Sequence, residues 1–173
     1  MLGEMTEDHL PSGERSDHTK TGHAVCLPAD IDTDLVIAGR YLRTKDRSIW
    51  AAHVFEDLDP GIAPRLKGSV IVAGRNFGCG SSREQAAIAL REAGVVAVIA
   101  PSFARIFFRN AINIGLPLIE SGLTCPAGSM VKFSLAEGWV ETGGERSPIR
   151  PLSPRMREIL AAGGLVEYWR VNQ

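Results

Sequence analysis

Several large classes of function need residues that this sequence has little of. It contains three cysteines, Cys26, Cys79 and Cys125, at long spacings and with no CxxC pair. That argues against a zinc site or a self-contained iron–sulfur site. Cys26 and Cys125 are expected as buried free thiols, the usual fate of an unpaired cysteine, and Cys79 as a small packed residue. Histidine is equally scarce where it would matter. His9, His18 and His23 fall in the polar first 23 residues, which leaves only His53 for the rest of the chain. A histidine-based triad or metal site would rest on that residue alone. Nineteen basic side chains face 20 acidic ones, for a net charge of −1. There is no basic excess to hold nucleic acid or an anionic membrane. No apolar run approaches the roughly 18 residues that span a bilayer, and the N-terminus lacks the apolar stretch of a secretory signal. The expectation is a cytoplasmic protein without membrane or nucleic-acid partners.

What is present is a globular chain of 173 residues, 45% hydrophobic and 23% charged, enough for one domain with a real core. Residues 1–23 are polar and carry Pro, Gly and mixed charges, so they are expected to form a flexible extension, with a single domain over 24–173. The β-branched run SVIVAG (69–74) is expected as a buried strand. After a glycine-rich turn, SSREQAAIALREAG (81–94) has helical periodicity, with serine capping, Glu84 in the first turn and Gly94 at the end. VVAVIA (95–100) is a second strand. SFARIFFRNAINIG (102–115) is a second helix, capped by Ser102, and LPLIE (116–120) is a third strand. This β-α-β-α-β order makes the class α/β with parallel strands. Upstream, Ser48 is expected to cap a short helix carrying Ile49, Trp50, Val54 and Phe55. Downstream, MVKFSL and GWVETGG read as a hairpin, and Ser153-Pro154 starts a helix that Gly163-Gly164 ends.

Chemistry concentrates in Gly74-Arg75-Asn76-Phe77-Gly78-Cys79-Gly80-Ser81-Ser82-Arg83-Glu84, between a strand and a helix. Glycines let a backbone turn tightly and approach a ligand closely. The following helix offers free N–H groups and a positive dipole end. Two hydroxyls and a guanidinium stand at the same place, and Arg83 can clamp a carboxylate or phosphate with two parallel bonds. The segment therefore favours an anion with several oxygens. It is not a phosphate-binding P-loop, because no Lys follows the glycines. It is not a dinucleotide fingerprint, because Arg83 stands where the third Gly belongs. It is not a nucleophile elbow, because neither serine has Gly two residues later.

A second polar group is Asp30-Ile31-Asp32-Thr33-Asp34. It lacks the Gly and the distal Glu of a calcium loop. Turns and caps account for Asp30 and Asp32. Asp34 precedes an apolar run, so its carboxylate is expected to find a partner, and an arginine of a binding site would serve. Arg40 and Arg43 follow closely, and the polar loop around Arg43 is expected to be mobile.

DIDTDLVIAGRYLRT, VAGRNFGCGSSREQAAIAL and VIAPSFARIFFRNAINIGLPLIE, in that order and spacing, resemble the small subunits of 3-isopropylmalate dehydratase and homoaconitase. These are the swivel domain of the aconitase superfamily. The resemblance covers about residues 24–171. It implies a swivelling β/β/α domain like the aconitase C-terminal domain. It also implies a large-subunit partner that carries a [4Fe-4S] cluster, with no cofactor or metal held by this chain, in a heterodimer or heterotetramer. The activity it implies is a hydro-lyase that isomerises a small hydroxy acid by dehydration and rehydration, as in leucine biosynthesis. By the family pattern Ser81 is the catalytic base, and Asp34 belongs to the proton-transfer network. Ser82 and Arg83 bind substrate carboxylate, Arg43 reaches the substrate, and Thr33 stands beside Asp34. The family usually reads SSREHA, whereas this chain has Gln85. The alternatives are a homoaconitase or dimethylmalate dehydratase small subunit, or a non-catalytic subunit that binds a small anion.

Overall fold

The short β-branched runs assemble into one seven-stranded sheet. The structure is a computed structural model, and it describes residues 19–173. The strands are β1 (Lys20–Leu27), β2 (Ser69–Ala73), β3 (Ala97–Ala100), β4 (Leu118–Glu120), β5 (Met130–Ser134), β6 (Trp139–Thr142) and β7 (Glu145–Pro148). Their order is β4-β3-β2-β1-β5-β6-β7. The first four are parallel: His23 faces Ser69 across β1 and β2, Val70 faces Ala97, and Val98 faces Leu118. β5, β6 and β7 continue antiparallel from the free edge of β1.

The expected β2-α3-β3-α4-β4 unit is there, with α3 over Glu84–Glu92 and α4 over Arg105–Asn113. The stretch between β1 and β2 holds α1 (Thr33–Val36), a 3-10 turn over Gly39–Arg43 and α2 (Arg47–Ala52). Near the end, α5 (Pro154–Ala162) is capped by Ser153 as expected, and α6 (Leu165–Val171) follows.

Alternation along the parallel strands makes two cores. Val25, Ile71, Val98 and Leu118 face the helices and pack with Leu66, Phe77, Ala87 and Leu90. Ala24, Val70, Val72, Ala97 and Ile99 face the other way and pack against Val131, Phe133 and Val140 of the antiparallel strands. The sheet therefore curls so that its own antiparallel part covers its second face. All five residues of β2 are buried, which is why that run reads as continuous apolar sequence.

Several local expectations are corrected. β1 already runs at Lys20, so residues 20–23 of the expected extension belong to the sheet, while residues 1–18 lie outside the described residues. Asp46, not Ser48, caps α2, and its carboxylate accepts from the Ser48 N–H at 3.0 Å. Neither α3 nor α4 is capped by serine. α3 starts after Arg83 and α4 after Ala104, with no side-chain cap at either end. Ser102 Oγ instead accepts from the Asn76 N–H at 2.8 Å. Cys26 is exposed rather than buried, and its thiol donates to the Cys125 carbonyl at 3.3 Å; Cys125 is half-buried. The edge strand β7, Glu145-Arg146-Ser147-Pro148, was not expected, being polar, exposed and closed by proline, as edge strands often are.

Replacing the fully buried Ile71 by Ala should cost about 2–5 kcal/mol. In denaturant titration the midpoint should fall with the slope unchanged.

Candidate active site

Three chain segments leave the carboxyl ends of β1, β2 and β3 on the same side of the sheet, where open α/β folds bind ligands. The backbone joins them. Asp32 bridges Cys79 and Phe77 bridges Phe103, both in parallel sense. Thr33 N–H donates to the Cys79 carbonyl at 2.9 Å, Gly78 N–H to Ile31 at 2.7 Å, and Ala104 N–H to Phe77 at 2.9 Å. Asp30 and Asn76 both adopt left-handed backbone, with φ of 58°, and Asn76 Nδ2 donates to Asp30 Oδ1 at 3.0 Å. Asn and Asp are the side chains that tolerate this conformation best. Gly78 and Gly80 also have positive φ. A Cβ on Gly78 would collide with the Phe107 ring, and one on Gly80 with the Asp32 carboxylate. The glycines of the motif are there for clearance as well as for the turn.

The result is a cleft of about 200 Å³. It is lined by Thr33, Gly80, Ser81, Ser82 and Arg83 and by the start of α4, from Ala104 to Phe107. Four of the predicted site residues thus share one cleft, and Asp34 touches it through Arg83. A larger depression of about 560 Å³ between β5 and α5 is mostly apolar and contains none of them.

Each predicted residue has a definite place. Ser81 and Ser82 are exposed in the loop before α3. Thr33 is buried, and its hydroxyl donates to the Ser81 carbonyl at 2.9 Å while lying 3.4 Å from Ser81 Oγ. It therefore fixes the backbone that carries Ser81. Asp34 takes the arginine partner that its position called for: its Oδ1 lies 2.7 Å from Arg83 Nη1. That nitrogen is shut off from water and has no aligned hydrogen-bond acceptor among the described residues, so the contact is an ion pair only. The Asp34 side chain is 59% exposed and that of Arg83 30%. A pair this wet is worth under about 1 kcal/mol and can be exchanged for another carboxylate. Burial first, then Asp32 and Asp30, push the Cys79 thiol above its ordinary value, so Cys79 is a protonated packing residue at neutral pH.

Arg43 does not line this cleft. It sits at the end of the 3-10 turn with its side chain exposed and without a hydrogen bond or ion pair among the described residues. The turn itself is not a slack loop. Arg40 pairs with Asp57 at 2.6 Å and with Glu56 at 3.1 Å. The Tyr41 hydroxyl donates to Glu56, the Tyr41 ring stacks on His53 at 4.1 Å, and Trp50 Nε1 donates to the Tyr41 carbonyl. The Arg40 guanidinium holds the Asp57 carboxyl below its ordinary value, and the Tyr41 hydroxyl does the same for Glu56.

Sequence reading missed Arg105 and its neighbours at the start of α4. The available signal was position: PSFAR follows a parallel strand just as GSSR does, so both loops open on the same edge. Replacing Thr33 by Val should destabilise the fold by about 1 kcal/mol through the lost bond to Ser81, while Thr33→Ser keeps most of it. Denaturant titration of the two variants checks this.

Among the described residues no three His, Cys, Asp or Glu side chains are gathered as a metal site. No helix among them is long and apolar enough to cross a membrane. Residues 23–121 match the aconitase C-terminal domain family. The chain is 54% identical over 145 residues to the 3-isopropylmalate dehydratase small subunit of Moorella thermoacetica, covering 80% of this chain and 87% of that protein. It is 51% identical over 143 residues to the methanogen homoaconitase small subunit of Methanothermobacter thermautotrophicus, covering 81% and 84%. The crystal structure of 3-isopropylmalate dehydratase from Methanocaldococcus jannaschii superposes with a TM-score of 0.85 at 44% identity, covering 89% of this chain and 95% of that one. With the β/β/α fold and the Ser81–Arg83 cleft in place, these matches put the chain in the aconitase C-terminal domain family, among the small subunits of 3-isopropylmalate dehydratase and homoaconitase.

Proposed function

We propose that this chain is the small subunit of a cytoplasmic two-subunit hydro-lyase that interconverts 2-isopropylmalate and 3-isopropylmalate by removing and re-adding water. Homoaconitate-, aconitate- or dimethylmalate-type acids are the alternative substrates. The observation that carries this reading is the joining of Ser81, Ser82, Arg83 and Asp34 at one cleft, in a chain whose relatives are named as small subunits of such enzymes. The [4Fe-4S] cluster belongs to the large subunit, and the complete active site forms where the two subunits meet.

In this reading the chain handles the proton and the carboxylate. Dehydration removes a proton from the carbon next to a carboxylate, and Ser81 Oγ accepts it. Serine does this only as its alkoxide, which becomes the neutral hydroxyl on taking the proton, so the alkoxide must be stabilised beforehand. The uncapped start of α3 and the Arg83 guanidinium put positive charge beside Ser81. Thr33 holds the Ser81 backbone in place. Ser82 and Arg83 take a substrate carboxylate. That carboxylate replaces Asp34 on Arg83 and supplies the acceptor that the buried Nη1 lacks. Asp34, released, is free to take part in proton transfer. Docking of the large subunit excludes water from this exposed edge and strengthens every charge interaction there. Arg43, on its anchored turn, chooses between substrates: its cation suits a third carboxylate, whereas Tyr41 and Leu42 suit an isopropyl group.

With the chain reconstituted anaerobically with a cluster-loaded large subunit, Ser81→Ala should lower kcat by about 10²–10⁴-fold with substrate binding retained. A non-catalytic anion-binding subunit would show no such loss. Arg43→Leu should weaken turnover of homoaconitate more than of isopropylmalate, as measured by the ratio of kcat/KM values. Equal losses on both would remove Arg43 from substrate selection.

A further inference from the structure

We infer that Arg105, the first residue of α4, is a second carboxylate-binding residue of the cleft and takes the substrate carboxylate that Arg83 does not. The inference rests on the reading of the chain as a subunit acting on hydroxy di- or tricarboxylic acids, and it assigns a second cation on this chain's side of the site. An acid of this class brings at least two carboxylates. Of the arginines predicted for the site, Arg83 is paired with Asp34 and Arg43 lies outside the cleft. Arg105 lines the same cleft as Ser81, Ser82 and Arg83.

Arg105 also differs from most arginines of the fold in having nothing to do. Arg40, Arg47, Arg146, Arg150 and Arg170 are each paired with a carboxylate, and Arg65 and Arg91 each donate to a backbone carbonyl. Arg105 has neither kind of partner among the described residues, and it is exposed at the edge of a concave site that already presents two hydroxyls. A guanidinium left unpaired there offers a carboxylate a planar, bidentate partner.

Its placement is also fixed. The Phe77–Phe103 bridge and the Ala104-to-Phe77 hydrogen bond tie the start of α4 to the loop that carries Ser81. The Phe77 ring stands edge-on to both Phe103 and Phe107 beneath them. The two arginines therefore start from two rigidly joined loops. No side chain caps α4, so its first N–H groups add to the field at the same point.

The test uses Arg105→Gln and Arg105→Lys in the reconstituted two-subunit enzyme. Subunit affinity is measured by titration calorimetry, and steady-state kinetics are measured with isopropylmalate. Malate and lactate serve as a dicarboxylate and a monocarboxylate inhibitor. Arg105→Gln should raise KM by about 10- to 100-fold, the range for losing a charge-assisted bond, with kcat little changed. Its inhibition constant for malate should rise while that for lactate stays put. Arg105→Lys should fall between. The inference is overturned by an unchanged KM, by equal losses for malate and lactate, or by a loss confined to subunit affinity, which would make Arg105 a docking residue. If the wild-type pair turns over none of the acids, the functional reading fails and this assignment with it. Turnover by the wild type with an indifferent Arg105→Gln defeats the assignment alone.

Discussion

The backbone bridges from Asp32 to Cys79 and from Phe77 to Phe103 prolong the parallel pairing of β1, β2 and β3 beyond the ends of the strands. Loops at this edge would otherwise be independent, and each would add its own conformational freedom to the position of any side chain it carried. Laced together, they behave as a rigid lip on the sheet. Every candidate group in the cleft inherits its position from that lip. Ser81 is held through Thr33, Arg83 leads directly into α3, and Arg105 starts α4 one residue after Ala104 bonds to Phe77. The requirement reaches the glycines too, since the lip closes only if Gly78 leaves room for Phe107 and Gly80 for Asp32. Two left-handed residues, Asp30 and Asn76, carry some strain at the same place and are bonded to each other across it. Pre-organisation of this kind has its cost in folding rather than in binding.

The charges on the lip are arranged so that none is deeply committed. Asp34 and Arg83 neutralise each other at the solvent boundary, where an ion pair is easily replaced. A fully buried pair at the same distance would resist replacement, because separating it would strand two desolvated charges. The remoter cluster of Arg40, Glu56, Asp57 and Tyr41 has another job, which is to hold a turn. Its carboxyls are held below their ordinary values. Their contribution is therefore complete above the unfolded carboxylate range, near pH 4, and fades as pH falls through the lower folded values.

What the sequence made legible was local. Val70-Ile71-Val72 and Val98-Ile99 announce buried strands because both faces are covered. The GSSR loop stands out because its residue types fit no commoner motif, and it does line a cleft. Asp34 announces a partner because a carboxylate beside an apolar run needs one. What escaped depends on distance along the chain. The place of β1 beside β2 is made by 41 intervening residues of crossover, and no short pattern encodes it. Arg105 looked like an ordinary residue in a serine-capped helix, since the pairing of Phe77 with Phe103 is a tertiary fact. The serines before both helices were misread as caps for the same reason: the loops that contain them are held by each other and not by the helices they precede. Cys26 is expected inside because an unpaired cysteine usually is; it lies on the opposite face from the buried Val25 and Leu27 and is exposed.

The turn over Gly39–Arg43 is anchored through Arg40, Tyr41 and the indole of Trp50, and none of that anchoring passes through the Arg43 side chain. Stability and the chemistry displayed at the end of the turn are therefore separable properties of neighbouring residues. A lineage can exchange the side chain at position 43 without first acquiring a compensating change in the core. On the proposed role of Arg43, divergence among relatives with different preferred acids needs only single mutational steps, each of them a folded protein.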